Sequence, residues 1–427
     1  MIALFMFLAA LVMLLVGIPV AFVFGSVAIF FAMIMPEVGL EVFNVLPFRI
    51  YGIMSNVTLM AVPLFIAMGL ILEKSQMAER LLVSMSRLFR SVRGGLAVSV
   101  VLVGAILAAS TGIVSASVVM MSVIALPLML KAGYDKGLAS GTVAASGTLG
   151  QIIPPSIILI ILGDVMSVSV GELFMGAVLP GLVLVGLYII YIITISWIKP
   201  EMAPIIESHT SISFSELFFS IVPPLLLMMS VLGSIFAGVA SPTESAAFGV
   251  VGAVVLSVLN RSLNIDMLVY AMRETVKLSG MIFMILIGAT AFSLVFNEIG
   301  GTDIVLKFFS EDIGDVWVFI GVAMLAIFIL GFFIDFIEIS FIIVPILVPV
   351  MEAFGIDPIW FAVLIALNLQ ASFLTPPFGL ALFFLKGAAG KTVTTIQIYQ
   401  GIIPFILLQL LALGIVILFP ELVFAFL

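Results

Sequence analysis

The sequence predicts an all-α polytopic membrane protein built as an inverted repeat, with about ten transmembrane helices and two re-entrant hairpins. Of its 427 residues, 64% are hydrophobic and only 9% are charged, which leaves too little charge to cover a soluble fold of this size. Apolar runs of about 20 residues, the length that spans a bilayer, recur from end to end. The two halves also share one proline pattern at a constant offset.

The composition excludes several classes of function. There are no cysteines and one histidine, His209, so disulfides, thiolate chemistry and a histidine metal cluster are excluded. Basic clusters typical of nucleic-acid-binding proteins are missing. An intramembrane enzyme would have to use Asp335 and Glu338 as an aspartyl pair, and we predict that the protein is not an enzyme. The apolar start lacks a basic n-region and is expected to be the first helix.

The placement of charge orients the predicted helices. Turns rich in Lys and Arg face the cytoplasm, and acidic turns alternate with them along this chain. This pattern predicts a multi-pass protein of the bacterial inner membrane with both termini in the periplasm. Amphipathic helices near 76–92 and 302–314 precede the two hairpins and are expected to lie along the membrane interface.

Two apolar stretches are too long for one membrane span at about 1.5 Å per residue. The first, 94–130, has basic flanks and a small polar centre at 109–117, which predicts a hairpin that faces the cytoplasm. The second, 316–353, carries Asp335 and Glu338 near its centre and follows an acidic turn, which predicts a hairpin that faces the periplasm. Each stretch is alternatively a pair of ordinary spans joined by a tight turn.

A matched segment follows each predicted hairpin. Pro127 precedes Pro154 by 27 residues, and Pro349 precedes Pro376 by the same 27 residues. The two segments are 222 residues apart, and their hairpins open to opposite sides, which is the inverted-repeat plan of many transporters. The two repeats are expected to comprise residues 1–215 and 216–427.

The double prolines are the sharpest indication of a ligand site. Proline removes a backbone donor and clashes with the preceding turn, so Pro154-Pro155 and Pro376-Pro377 should each unwind a helix in mid-span. Unwound backbone at membrane depth survives where it is buried in protein or lines a cavity. The freed carbonyls and nearby hydroxyls suit Na⁺, and the new helix N-termini suit an anionic substrate. A kink used only for packing is the alternative.

Polar side chains cluster at the centres of both predicted hairpins. Four hydroxyls of the first hairpin form a candidate Na⁺ site opposite Gly147 and Pro154, and cross-helix hydrogen bonds are their alternative role. These are Ser110, Thr111, Ser115 and Ser117. In the second hairpin, Asp335 and Glu338 are three residues apart and share one helix face. Charge at membrane depth is costly and usually functional, so either is expected to ligate a cation, hold a proton or orient the tip. A tip that lies nearer to water is the alternative.

Four further polar residues are expected to be helix caps rather than ligands. Asp135 and Asp357 stand where helices begin, the second directly before a proline. Ser241 and Glu244 have the spacing of a capping box, in which each side chain bonds the other residue's backbone N–H.

Several segments resemble the large membrane subunit of TRAP (tripartite ATP-independent periplasmic) transporters. They span nearly the whole chain in order: AVPLFIAMG at 61–69, GYD at 133–135, GQIIPPS at 150–156, PGL at 180–182, SPTESAA at 241–247 and LTPPFG at 374–379. The chain is similar to DctM, and its residues 109–114, 336–339 and 369–373 resemble the branch labelled mannitol/chloroaromatic. These departures from the usual pattern, Glu338 above all, count against a transfer of sialic-acid or dicarboxylate specificity.

The resemblance implies an elevator-type importer of the ion-transporter superfamily kind, driven by Na⁺ and needing no other cofactor. It implies two partners, a small four-helix membrane subunit and a soluble periplasmic protein that binds the organic-acid substrate. The moving part would comprise 94–165 and 316–388, and the remaining helices would form a scaffold. No Lys or Arg lies near the predicted tips, so hydroxyls, backbone amides and helix ends are expected to hold the substrate carboxylate.

The family's ion and substrate sites map onto the hairpin tips and broken helices of this chain. The implied Na⁺ ligands are Ser110, Ser115, Gly147, Ile152, Pro154, Gly331, Asp335, Asn368, Ser372 and Thr375. The implied substrate ligands are Thr111, Ser117, Thr148, Gln151, Glu338 and Gln370. A 2-oxo or 2-hydroxy monocarboxylate is the favoured substrate. The alternatives are a TRAP subunit for a sugar acid or dicarboxylate, a stand-alone Na⁺/carboxylate carrier of similar design, and a channel.

Overall fold

The computed structural model describes residues 2–36, 38–205 and 214–427, and side chains over the same ranges except 108–111 and 214–217. The predicted roles of the Ser110 and Thr111 side chains, and the position of His209, therefore lie outside the described residues. Throughout the described ranges every regular element is a helix, which confirms the predicted all-α fold.

The helices of the first half follow one another with short connections. They are α1 (Ile2–Leu15), α2 (Val20–Ile34), α3 (Leu46–Met54), α4 (Ala61–Lys74), α5 (Met77–Leu88), α6 (Gly95–Thr111), α7 (Val114–Lys131), α8 (Lys136–Thr148), α9 (Ile157–Val165) and α10 (Val170–Ile198).

The helices of the second half are interrupted more often. They are α11 (Phe214–Phe236), α12 (Pro242–Leu259), α13 (Ile265–Glu298), α14 (Gly301–Lys307), α15 (Val316–Leu330), α16 (Phe336–Glu338), α17 (Val344–Ala353), α18 (Pro358–Leu374), α19 (Leu380–Ala389), α20 (Thr395–Leu418) and α21 (Glu421–Phe424). A π-helical turn, Phe308–Ile313, continues α14, and another, Ile339–Ile343, joins α16 to α17.

Many of these helices are membrane spans by length and composition. Within the described residues, seven helices are long and apolar enough to cross a bilayer, or eight if the bent pair α4–α5 is counted as one span. Six further apolar helices of 10–17 residues, such as α1, α2 and α18, are shorter than a full span. The chain is therefore a membrane protein, and the total of about ten crossings stays a prediction.

The chain breaks at the centre of each predicted hairpin. Gly112, between α6 and α7, has a φ of +59°, which a side chain rarely adopts, and a Cβ there would lie 2.8 Å from Ile157 Cγ1. In the second half the helix stops at Leu330 and resumes at Phe336 after a five-residue turn. The helices α6 and α7 pack against each other and against α8, whereas α15 packs mainly on α18.

The other helices form two packed groups. One consists of α2, α4, α12 and α13, whose mutual contacts are extensive. The other is organised around α8, whose main partner is α20. Their backbones approach closely because Gly137 and Gly141 face Gly401. A Cβ on Gly141 would lie 2.2 Å from the Gly401 carbonyl oxygen, and a Cβ on Gly401 would lie 1.9 Å from the Gly137 carbonyl oxygen. The helix α20 was assigned by sequence to the scaffold, yet its main contacts are with α8 of the predicted moving part. The division into moving and stationary parts stays a prediction.

The predicted helix caps have capping geometry in the structure. The carboxylates of Asp135 and Asp357 each accept a hydrogen bond, at 2.9 Å, from the backbone N–H three residues further on. In the capping box, the Glu244 carboxylate accepts from the Ser241 N–H at 2.8 Å, and the Ser241 hydroxyl accepts from the Glu244 N–H at 3.3 Å. These four residues stabilise helix starts and leave the ligand site to other groups.

Candidate functional site

Both helices that carry a double proline are broken in the structure. The first, α8, ends at Thr148, tightens into a 3₁₀ turn over Leu149–Gln151 and runs as an irregular segment to α9. The second, α18, ends at Leu374, and α19 begins after a five-residue interruption. Both proline–proline peptide bonds are cis. The predicted loss of helical structure therefore occurs in both halves.

The two broken helices, α8 and α18, approach each other at one point close to their breaks. Gln370 Nε2 lies 3.5 Å from Thr148 Oγ1, a long hydrogen bond in which the amide donates. These residues are 222 positions apart, which is the offset of the sequence repeat. Because a residue can contact its own repeat equivalent only on the axis that relates the two halves, this contact lies on that axis. The two ligand centres inferred from sequence are thus neighbours.

Two glutamines at this point of the fold are buried: Gln370, which forms the contact, and Gln151, three residues after Thr148. Gln151 is 1% exposed, and both its amide nitrogen and its amide oxygen lack a hydrogen-bond partner among the described residues. Gln370 is fully buried, and its amide oxygen also lacks a partner there. A buried polar atom without a partner costs about 1–3 kcal/mol, so native proteins rarely keep one without a reason. Such amides next to two helix breaks are suited to binding a polar ligand.

A hydroxyl that is not among the predicted ligands stabilises the first break. Ser156 Oγ donates to the Gln151 carbonyl at 2.7 Å and so closes the irregular segment across both prolines. Its position directly after the proline pair was the available clue. Gly147 lies against α7, since a Cβ there would be 2.6 Å from Val118 Cγ2. Ile152 is buried, as is Pro154, whereas Ser115 is half-buried and Ser117 is buried.

In the second break, polar side chains of α18 bond to α15. Asn368 Nδ2 donates to the Met324 carbonyl at 2.7 Å, and Ser372 Oγ donates to the Phe328 carbonyl at 2.7 Å. Thr375, directly after α18, donates through Oγ1 to the Ala371 carbonyl at 2.8 Å. These bonds use the donors and leave oxygen lone pairs free to accept a bond or to ligate a cation. Gly331 allows the close approach, because a Cβ there would lie 2.5 Å from Ser372 Oγ.

The two carboxylates of the second hairpin have different surroundings. Asp335 Oδ1 accepts a hydrogen bond from the Phe336 N–H at 2.7 Å, so Asp335 orients the tip by capping α16. Glu338 is 6% exposed and lines a small apolar cavity with Phe7 of α1 and Phe24 of α2. No residue of either proline break lines that cavity, so this geometry does not favour the predicted substrate contact of Glu338.

The basic side chain nearest in sequence to the second break bonds to carbonyls outside that break. Lys386, the basic residue nearest in sequence to the second break, donates to the carbonyls of Gly390 and Val393 at 2.8 and 2.6 Å. The described residues also contain no group of three or more His, Asp or Glu side chains that could hold a metal ion together. The arrangement can therefore bind ligands mainly through neutral amides, hydroxyls and carbonyls.

A broken-helix site inside an all-helical membrane protein is the architecture of a membrane permease. Residues 7–422 match the sequence model of the family described as "Tripartite ATP-independent periplasmic transporter, DctM component". The chain therefore belongs to this family and is a large permease subunit of the bacterial inner membrane, not an enzyme.

Characterised relatives cover most of the chain. It is 30% identical to the ectoine TRAP transporter large permease TeaC of Halomonas elongata, over 85% of this chain and 84% of that protein. It is also 30% identical to the C4-dicarboxylate large permease DctM of Pseudomonas aeruginosa, over 88% and 87%. The sialic acid large permease SiaM of Vibrio cholerae is 28% identical, over 95% and 93%. None of these names points to the mannitol/chloroaromatic branch.

Solved structures share the fold at low sequence identity. The Alcanivorax borkumensis YdaH transporter superposes with a TM-score of 0.66 at 15% identity, over 92% of this chain and 91% of that chain. Neisseria gonorrhoeae MtrF gives a TM-score of 0.58 at 16% identity, over 89% and 84%. At this identity the likeness establishes the fold alone.

Proposed function

We propose that the protein is the large subunit of a Na⁺-coupled, binding-protein-dependent importer of a small organic acid that works by an elevator mechanism. The observation that carries this proposal is the contact between the broken helices at Thr148 and Gln370, beside the unpartnered amides of Gln151 and Gln370. Both halves of the repeat contribute to this buried polar centre, as expected for a transporter whose ligand lies at the repeat interface.

The polar groups favour a small monocarboxylate with one neighbouring oxygen. The amide N–H groups of Gln151 and Gln370 together can donate hydrogen bonds to a carboxylate and an adjacent 2-oxo or 2-hydroxy group, whereas the Thr148 hydroxyl already donates to the Ala145 carbonyl and can only accept. A second carboxylate would call for a further cation, which the described contacts do not supply. Relatives named for ectoine, C4-dicarboxylate and sialic acid support the wider class of small organic solutes.

We propose that Na⁺ binds at both helix breaks through oxygen atoms. In the second half, Asn368 and Ser372 already use their donors on α15 and keep oxygen lone pairs, with Asp335 at the neighbouring tip. The first half offers hydroxyls and backbone carbonyls around Gly147 and Pro154. Exposed carbonyls of unwound helices are typical Na⁺ ligands in secondary transporters. The second half, which adds a carboxylate, is proposed to carry more of the coupling.

We also propose that residues 94–165 and 316–388 move as a unit against the remaining helices. The partners would be a small four-helix membrane subunit and a soluble periplasmic binding protein. The tripartite family description supports two partners. A further relative, the isethionate TRAP transporter permease DctMQ of Oleidesulfovibrio alaskensis, is 29% identical over 94% of this chain. This chain covers only 62% of that longer protein, and the remaining part supports a membrane partner.

Substitution of Asp335 tests the proposed Na⁺ coupling. Asparagine keeps the capping role at α16 and removes the charge, so Asp335→Asn should fold normally and lose Na⁺-driven uptake in proteoliposomes. Asp315→Asn is the matched control, because Asp315 caps α15 through the Trp317 N–H at the exposed end of that helix. Equal Na⁺ dependence of uptake in the two variants would remove Asp335 from the coupling mechanism.

Reconstitution with and without partners tests the tripartite assignment. The large and small membrane subunits together, with the loaded binding protein, should take up substrate in a Na⁺ gradient. The large subunit alone should show background uptake only. Full uptake by the isolated chain would contradict the dependence on partners and would favour a stand-alone carrier.

A further inference from the structure

A polar hollow lies where α4, α5 and the α12–α13 turn meet. Two adjoining cavities of about 530 Å³ each share Gln76, Arg80 and Asn260 in their walls. Either volume is within the range of about 300–1,000 Å³ that is typical of small-ligand sites. Neither cavity includes a residue of the proline breaks, so this hollow is separate from the proposed transport site.

Three basic side chains line the hollow from different elements. Lys74 ends α4, Arg80 lies on α5, and Arg261 lies in the turn after α12. Arg80 Nη1 donates to Asn260 Oδ1 at 3.2 Å, which positions the guanidinium over the space that both cavities share. Lys74 Nζ lies 4.6 Å from the centre of the Tyr270 ring. Two acids, Glu79 and Asp266, also line the hollow, and Lys74 Nζ lies 3.6 Å from the Glu73 carboxylate, so Arg80 and Arg261 are the bases best placed to face a ligand.

The wall of one cavity continues into the apolar surface of α11. Met77 and Val83 of α5 and Phe219 of α11 line it beside the polar groups. Phe219 is 68% exposed, and Leu226, two turns further along the same helix, is 63% exposed. A ligand with an anionic head and an apolar tail would fit both the hollow and this surface.

We propose that this hollow binds the phosphate headgroup of an anionic membrane lipid, with an acyl chain lying along α11. Arg80 and Arg261 would contact the phosphate from opposite sides, because guanidinium groups bind phosphate oxygens well. The hollow lies on the side that the basic turns assign to the cytoplasm, where anionic lipids attract basic segments.

The lipid would also connect two parts of the protein. The α4–α5 pair bends by 61° at Gln76, whose φ is +60°, and α5 leads through a short turn into α6 of the first hairpin. A headgroup bound by both Arg80 and Arg261 would link α5 to the turn between α12 and α13. Anionic lipid is therefore expected to stabilise the protein and to affect transport without entering the transport site.

The test is a titration of the purified full-length chain with dioctanoyl phosphatidylglycerol, followed by thermal unfolding. Saturable stabilisation is expected, whereas dioctanoyl phosphatidylcholine and inorganic phosphate at equal concentration should give none. The Arg80→Gln, Arg261→Gln double variant should weaken the apparent affinity at least tenfold. Arg273→Gln, which removes an exposed base of α13 that lines neither cavity, should stay within twofold.

A second variant keeps the test decisive if the double variant fails to fold. Glu79→Gln removes an exposed acid from the hollow and should strengthen phosphatidylglycerol binding, since less negative charge opposes the headgroup. Unchanged affinity in the folded double variant would overturn the site, and where that variant does not fold, unchanged affinity in Glu79→Gln would overturn it. Equal stabilisation by phosphatidylcholine would overturn the preference for anionic lipid. Saturation by inorganic phosphate alone, lost in the double variant, would overturn the lipid as the source of the phosphate.

Discussion

Replacing Gln151 by leucine should separate stability from transport. The side chain is 1% exposed, and both of its amide atoms lack a partner among the described residues. Leucine has a similar size and no polar atoms, so Gln151→Leu removes the cost of burying an unsatisfied amide. That cost is about 1–3 kcal/mol, and the free energy of unfolding should rise by a comparable amount. The backbone carbonyl of Gln151 still accepts the Ser156 hydroxyl in this variant.

Transport should change in the opposite direction. A hydrogen bond to a charged group contributes about 1.5–3 kcal/mol, so loss of one amide contact to a carboxylate should weaken substrate binding about tenfold or more. Two measurements check the prediction: the midpoint of thermal unfolding in detergent, and the substrate concentration dependence of uptake by the reconstituted complex. We expect a higher midpoint together with a higher KM.

Gln409 provides a matched control on α20. It is also 1% exposed, outside both helix breaks, with an amide beside the Tyr188 hydroxyl. Gln409→Leu should leave the KM of the folded complex unchanged, whatever its effect on stability. A lower unfolding midpoint for Gln151→Leu, with wild-type uptake, would refute the reasoning, because Gln151 would then be a structural residue.

Two further predictions concern stability. Gly141→Ala places a Cβ 2.2 Å from the Gly401 carbonyl oxygen, so α8 and α20 must separate by about 1 Å. We expect the free energy of unfolding, measured by thermal unfolding, to fall by about 1–3 kcal/mol. Gly186→Ala, where no atom lies within 4 Å, should be neutral or slightly stabilising, and equal losses in the two would contradict the packing argument. Ser241→Ala combined with Glu244→Ala removes the capping box and should cost about 1 kcal/mol with unchanged uptake per folded molecule. Lost uptake at normal stability would instead place Glu244 among the functional residues.

Local chemistry explains which features were predictable from sequence. Membrane insertion depends on composition alone, and helix breaks at Pro154 and Pro376 follow from the missing N–H of proline and its clash with the preceding turn. The caps at Asp135 and Asp357 depend on a side chain and a backbone N–H three residues apart. Such interactions span few residues, so their geometry is contained in the sequence pattern.

The roles of Ser156 and Glu338 depended on folding. Ser156 belongs to a recognisable motif, yet only the folded irregular segment brings its hydroxyl to the Gln151 carbonyl. The sequence-based prediction placed Glu338 near the proline breaks. In the structure, Glu338 instead lines a cavity with residues of α1 and α2. Sequence separation gives no information on which face of a short helix another part of the chain will cover.

The sequence by itself determined that the chain is a helical membrane protein with two related halves, each interrupted by a proline pair. Only the tertiary structure decided that the two interrupted helices meet at Thr148 and Gln370 and leave the Gln151 amide without a partner among the described residues. It also decided that α8 lies directly against α20, through glycines more than 250 residues apart. The physical reason is that contacts between distant segments depend on how whole helices pack, and that packing has no local signature in the sequence.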